Sequence, residues 1–217
     1  MTIVGYVAAV KSRRDEYSDS TRAALLESGR RLFAERGYAG TSLADIAAQA
    51  RVTKGALYHH FVGKQALLEE ICRALDQRVI AEVTAAMARA EDPWEGVLAA
   101  VGAFLDNCAD PSYGRLVFRE VPAVLGHAAW FAEGEATFGA LIQQVLGGLV
   151  DMGVIDTPSV RLTAQVLYAA LAEAALAIAA AADPTAERDA LADVLQKMMS
   201  GFLTTARPSG APAQVLM

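Results

Sequence analysis

The sequence predicts an all-α protein, and three observations predict it. Long stretches repeat apolar residues at the i, i+3, i+4, i+7 spacing of a helix face, and none alternates apolar and polar residues as a half-buried strand would. Asp92-Pro93, Thr157-Pro158 and Asp183-Pro184 each place a capping side chain before a proline, whose fixed φ and missing N–H suit the first helical position. With 217 residues, 54% hydrophobic and only 20% charged, the chain has enough apolar surface to bury a sizeable core. The net charge of −6 excludes a protein that coats nucleic acid or an anionic membrane over its whole surface.

The elements follow in order. Residues 1–18 mix apolar, basic and acidic side chains without a period and read as a flexible arm. A first helix starts near Ser20, aligns Leu25, Leu32 and Phe33, and stops at Gly37, which tolerates a left-handed cap. Three short helical pieces follow between Ser42 and Ile71, the last running on through Leu75, Val79 and Val83 to about Ala90. The remaining helices are expected at 93–108, from Pro111 with interruptions at Pro122 and Gly126, at about 128–152 softened by Gly134, at 158–182 and at 184–205. The tail from Arg207 has turn composition. That gives nine or ten helices, organised as an arm (1–18), a small helical domain (19–71), a larger helical domain (72–206) and a tail (207–217).

The N-terminal apolar run precedes the basic cluster Lys11, Arg13, Arg14, the reverse of a secretory signal. Residues 163–182 are the most membrane-like, yet they are alanine-rich and hold Gln165, Tyr168 and Glu173. They read as a buried helix of a bundle or dimer, which points to a cytoplasmic protein without a membrane partner. Two cysteines, Cys72 and Cys108, are too few for a disulfide framework and read as small core residues.

Residues 41–64 carry the functional signal. Ser42 and Asp45 have capping-box spacing, and Leu43, Ile46, Ala47 and Ala50 make a narrow apolar face over two turns. After a short break Thr53 can cap a second helix, with Val52 and Leu57 placed as a hydrophobic staple and Leu57 and Phe61 pointing inward. Two short helices joined by a tight turn describe a helix-turn-helix. The second would expose Thr53, Lys54, Gly55, Ala56, Tyr58 and His59. Small residues there admit close approach to a groove, while hydroxyls, rings and the lysine can donate to phosphates. A pair of packed core helices with an ordinary solvated face is the competing reading. Against it, the stretch holds Arg51, Lys54, Lys64, His59 and His60 but only one acid, Asp45.

These residues resemble the TetR family of bacterial transcriptional regulators. The likeness runs over about residues 20–70: Leu32-Phe33, Gly37-Tyr38, Thr41-Ser42, Ile46-Ala47, Val52-Thr53-Lys54-Gly55, Leu57-Tyr58-His59-His60-Phe61 and Lys64. It implies that Thr41, Ser42, Tyr58, His59 and Lys64 hold phosphates, and that Thr53, Lys54, Gly55 and Ala56 face base edges. His60 fits either a backbone contact or packing beneath the third helix. Lys11, Arg13 and Arg14 fit either a solvated tail or an arm in a neighbouring minor groove. One departure stands out: the turn usually carries Gly where this chain has Arg51. That reads as a tolerated substitution at positive φ, with an added phosphate contact as the alternative.

The resemblance further implies a C-terminal ligand-binding and dimerisation domain. The helices at 158–182 and 184–205, rich in small apolar residues such as Ala169, Ala170, Ala174, Ala175 and Ala177, suit a four-helix dimer interface, and intramolecular packing is the alternative. Residues 115–130 resemble a segment of one subgroup of these domains. Phe104, Asn107, Phe118, His127, Trp130 and Tyr168 are the candidate pocket residues, mostly apolar with a few polar groups.

The sequence lacks Glu-x-x-His pairs, a glycine-rich phosphate loop, Gly-x-Ser-x-Gly and His-Glu-x-x-His, so no catalytic residue, metal or cofactor is expected. The expected function is a ligand-responsive regulator, a repressor that binds a palindromic double-stranded operator as a homodimer and is released by a small-molecule inducer. An activator with the same head, or a helical carrier or enzyme, are the alternatives. Charge is partitioned accordingly: residues 1–71 hold ten basic and eight acidic side chains, net +2, while residues 72–217 hold nine and seventeen, net −8.

Overall fold

The computed structural model describes residues 13–204, with side chains from Tyr17 onward. The expectations for Lys11, for the side chains of Arg13 and Arg14, and for the tail from Arg207 lie outside the described residues. Those residues form nine helices: α1 (Arg13–Arg36), α2 (Leu43–Gln49), α3 (Lys54–His60), α4 (Lys64–Ala88), α5 (Pro93–Ala109), α6 (111–125), α7 (127–151), α8 (Val160–Ala180) and α9 (Pro184–Ser200). α6 and α7 each contain one widened π-turn, at Leu116–Glu120 and Glu135–Gly139.

Several starts coincide with the sequence signals. Asp92, Asp110 and Asp183 each accept two backbone N–H groups ahead of a proline. α1 begins at Arg13, earlier than the expected Ser20. The stretch 13–19 lacks glycine and proline and includes good helix formers, so it extends the helix without an apolar face; Tyr17 is largely exposed. α8 begins two residues after Pro158, with Ser159 as its cap. α9 stops at Ser200 instead of about 205, because the chain beyond it pairs elsewhere: Asp156 N–H donates to Phe202 O (2.9 Å) and Thr204 N–H to Val154 O (3.0 Å).

The chain divides into two compact units. The first comprises the residues up to Arg78 together with Asp110–Gly126; the second comprises Val79–Ala109 and the chain from His127 onward. The sequence places 110–126 with the larger domain, whereas the structure packs it with the first unit. Leu116, Val117, Phe118 and Val121 are buried, and the Tyr113 hydroxyl donates to Asp76 Oδ1 of α4 at 2.9 Å. An apolar face of that size gains more from burial than from water, at about 25 cal/mol per Å².

The core of the second unit gathers Leu146 and Leu149 of α7, Ala164 and Leu167 of α8 and Met199 of α9, with Ile155 closing one end. α8 is long and apolar enough to cross a membrane by length and composition. In this fold it packs on α5, α7 and α9 and buries Leu167, Tyr168, Ala172, Ala174, Ala175 and Ile178.

The glycine expected to soften the helix at position 134 serves packing. The Tyr168 hydroxyl donates to Phe131 O (3.0 Å), and a Cβ at position 134 would collide with that hydroxyl. Glycine lets the tyrosine reach a helix carbonyl, and the π-turn starts at the next residue.

Candidate nucleic-acid interface

α2 and α3 are only seven residues each, too short to persist alone, so caps and burial must hold them. The Ser42–Asp45 capping box is formed in both directions: Asp45 N–H donates to Ser42 Oγ (3.1 Å) and Ser42 N–H to Asp45 Oδ2 (3.0 Å). The Ser42 hydroxyl, and then its amide, hold the Asp45 carboxyl below the usual carboxylate range. Thr53 Oγ1 accepts from Ala56 N–H (3.1 Å) and starts α3. Ile46, Ala47, Leu57 and Phe61 are buried, as their spacing predicts.

The turn between the helices is a Schellman closure: Arg51 N–H donates to Ala48 O (3.1 Å) and Val52 N–H to Ala47 O (3.0 Å). It requires positive φ at residue 51, and Arg51 adopts φ 57°. α3 then presents Thr53, Lys54, Gly55, Tyr58 and His59 as exposed residues, with Ala56 and His60 half-buried. Tyr58 is 59% exposed, and an open cleft beside it is lined by Ser42, Leu43, Ala44, Lys54, Leu57 and Tyr58.

Two of the sequence-predicted phosphate ligands turn inward. Thr41 is only 2% exposed, and its hydroxyl is engaged by Leu32 O (3.1 Å) and Gly37 O (2.9 Å). Its side chain ties α1 to the loop before α2, which corrects the expectation that it reaches outward. Lys64 Nζ donates to Tyr38 O (2.8 Å) and Thr41 O (3.0 Å) and lies 4.1 Å from the centre of the Tyr38 ring. Two of its three N–H donors therefore brace the same loop, leaving one for anything outside.

A family model described as bacterial regulatory proteins of the tetR family matches residues 25–71, and one for the tetracyclin repressor-like C-terminal domain matches residues 94–202, half of the chain. The chain belongs to the TetR family. A TetR-family transcriptional regulator from Pectobacterium atrosepticum superimposes with a TM-score of 0.78 at 34% identity, covering 91% of this chain and all of that one. Among curated relatives, the Tn10 TetC protein of Escherichia coli is 31% identical over 116 residues, 54% of this chain, and the transcriptional repressor KstR2 of Mycobacterium tuberculosis is 44% identical over 55 residues, 25% of this chain. These two matches span 58% and 28% of the relatives' own lengths. As a TetR-family member the chain is a DNA-binding transcriptional regulator, and its helix-turn-helix is α2 and α3.

In this TetR-family head the sequence missed one bracing pair. Glu120 Oε2 accepts from Tyr38 N–H at 2.9 Å, just past the glycine that ends α1, and Arg115 donates to Ala34 O at 3.1 Å. Arg115 Nε and Glu120 Oε1 are 3.4 Å apart, so the two side chains of α6 also hold each other. Nothing local in the sequence signals a bond between residues 82 positions apart.

The candidate pocket residues distribute over both units. Phe118 packs edge-on against Tyr113 (5.4 Å between centroids) as a core residue of the first unit. In the second, His127 and Trp130 are 5.3 Å apart and Phe131 lies 4.9 Å from Tyr168, forming one aromatic run. Phe104 pairs with Phe138 at 5.8 Å, and the Asn107 carboxamide donates to Glu82 Oε2 and Ala103 O, each at 2.9 Å.

Proposed function

We propose that this regulator is a repressor that binds a two-fold-symmetric operator as a homodimer and is released by a small apolar or aromatic molecule. The observation that carries the reading is the α2–turn–α3 frame. Its caps and buried residues hold α3 with Thr53, Lys54, Gly55, Tyr58 and His59 exposed, which supports a docking in which Thr53, Lys54, Gly55 and Ala56 meet base edges while Tyr58, His59, Ser42 and the remaining donor of Lys64 take phosphates. Its one acid, Asp45, is an anion turned back onto the Ser42 hydroxyl and amide of its own capping box. The repressor described among the relatives supports the sign of regulation.

Dimerisation is supported by an apolar stripe on the last two helices. Leu162 and Val166 on α8, and Val194 and Met198 on α9, are one turn apart in pairs and remain 51%, 61%, 59% and 39% exposed. Covering them with the same face of a second copy removes that area from water and brings two recognition helices into one assembly. Such a regulator would act in the cytoplasm, without catalysis.

The inducer would engage Phe104, Asn107 and the aromatic run of His127, Trp130 and Tyr168. The segment 110–126 that braces the α1–α2 loop joins the second unit covalently at both ends, so a ligand there could bias the Glu120–Tyr38 bond. It can do so only through unequal affinity for two arrangements; reversing a 99:1 bias takes about 5.5 kcal/mol. The test is titration of the protein onto duplex DNA from immediately upstream of its own gene, paired with a promoter reporter with and without the regulator. A specific complex and higher reporter output without the regulator support repression. A specific complex with lower output without it indicates an activator, and no specific complex overturns the reading.

A further inference from the structure

We infer that Arg51, in the turn of the helix-turn-helix, is an additional DNA-phosphate ligand, an inference that rests on the DNA-binding reading above. Four described residues have clearly left-handed backbone: Gly37, Arg51, Gly126 and Gly153. Three are glycines, the residue that adopts this conformation without a Cβ penalty. Arg51 shares the positive φ in the closure that glycine fits best, and no ion pair or side-chain hydrogen bond among the described residues accounts for it. The guanidinium side chain is exposed. The one acid of residues 41–64, Asp45, is engaged by Ser42 through the hydroxyl and the amide.

Position decides what the guanidinium meets. Arg51 lies two residues before Thr53, the cap from which the exposed face of α3 starts, and on the same face-bearing segment as the exposed Lys54. A duplex that brings base edges to Thr53 and Lys54 brings its sugar-phosphate backbone to the turn that leads into them. The planar guanidinium fork matches two phosphate oxygens and keeps its charge at any physiological pH. Arg51 thus adds affinity without reading sequence, and the backbone strain it carries is maintained for that contact.

The experiment compares wild type with Arg51→Gly, Arg51→Lys and Arg51→Gln by thermal melting and by fluorescence anisotropy on a DNA site that the wild type binds, from 50 to 200 mM salt. Arg51→Gly relieves the backbone, so its melting temperature rises by about 2–4 °C, yet its complex is weaker. The slope of log affinity against log salt becomes shallower by about 0.9 per subunit, or about 1.8 for a dimer. That corresponds to a roughly twelvefold smaller affinity change over the salt range. Arg51→Gln reproduces the shallower slope with no gain in melting temperature, and Arg51→Lys keeps the wild-type slope. A wild-type complex whose affinity and salt slope are unchanged in Arg51→Gly overturns this inference alone. Failure of the wild type to form any specific complex overturns the DNA-binding reading, and this inference with it.

Discussion

Replacing Lys64 by methionine keeps the length of the side chain and removes its charge, which separates bracing from DNA contact. The structure gives Lys64 two bonds from a charged donor to carbonyls, at 2.8 and 3.0 Å, and a ring face at 4.1 Å. Both bonds are only partly buried, so water regains some of each, and about 0.5–1 kcal/mol apiece is the reasonable net loss. The ring contact adds about 0.5–1 kcal/mol. The sum is about 2 kcal/mol, which for a chain of this length lowers the melting temperature by about 4–8 °C. Thermal melting followed by circular dichroism at neutral pH measures it. A Lys64→Met protein that melts within about 1 °C of wild type, with a salt slope for DNA binding shallower by about 0.9 per subunit, would show that the lysine serves phosphate and not the loop.

Other substitutions probe the remaining braces. Glu120→Ala strips the acceptor from Tyr38 N–H and the partner from Arg115, and is expected to cost about 1–3 kcal/mol; Glu120→Gln should cost less, because its amide oxygen still accepts, and equal losses in urea titrations would contradict that geometry. Gly134→Ala should destabilise even though alanine is the better helix former by about 0.8–1 kcal/mol, and adding Tyr168→Phe should recover part of the loss; a stabilised single variant would show that the hydroxyl is not against the helix. Cys72 and Cys108 are buried, and burial, followed by the neighbouring carboxylates Asp76 and Glu69, pushes the Cys72 thiol up. A disulfide reagent at neutral pH should therefore label neither thiol in the native chain and both after unfolding, so a rapid native phase would refute the packing around them.

What was legible in the sequence was local. The Asp-Pro and Asp-x-x caps, the Ser42–Asp45 box and the glycine ending α1 all act within four residues, and the helices they delimit formed where the pattern put them. The inward faces of α2 and α3 followed from spacing for the same reason. The tie from Thr41 back to α1 and the bracing bonds of Lys64 and Glu120 were unseen because Leu32 O, Tyr38 O and Tyr38 N–H lie 9, 26 and 82 positions away, and a hydroxyl, an ammonium and a carboxylate look equally suited to solvent in a linear string. The assignment of 110–126 to the first unit was hidden similarly: its helix reads as one more amphipathic segment, and only the completed core shows which unit its apolar face joins. Arg51 was the reverse case, a departure visible in the sequence whose backbone consequence the structure then displayed.

Selection from a random duplex library by the intact chain tests most directly whether α2 and α3 of a homodimer read a symmetric DNA site, as proposed. Enrichment of an inverted repeat is expected, with half-sites about one helical turn, 34–36 Å, or a multiple of it apart. Thr53→Ala should lower preference for that repeat over random DNA more than it lowers binding to random DNA. Recovery of no enriched sequence, or of an enriched site equally favoured after Thr53→Ala, would contradict that reading.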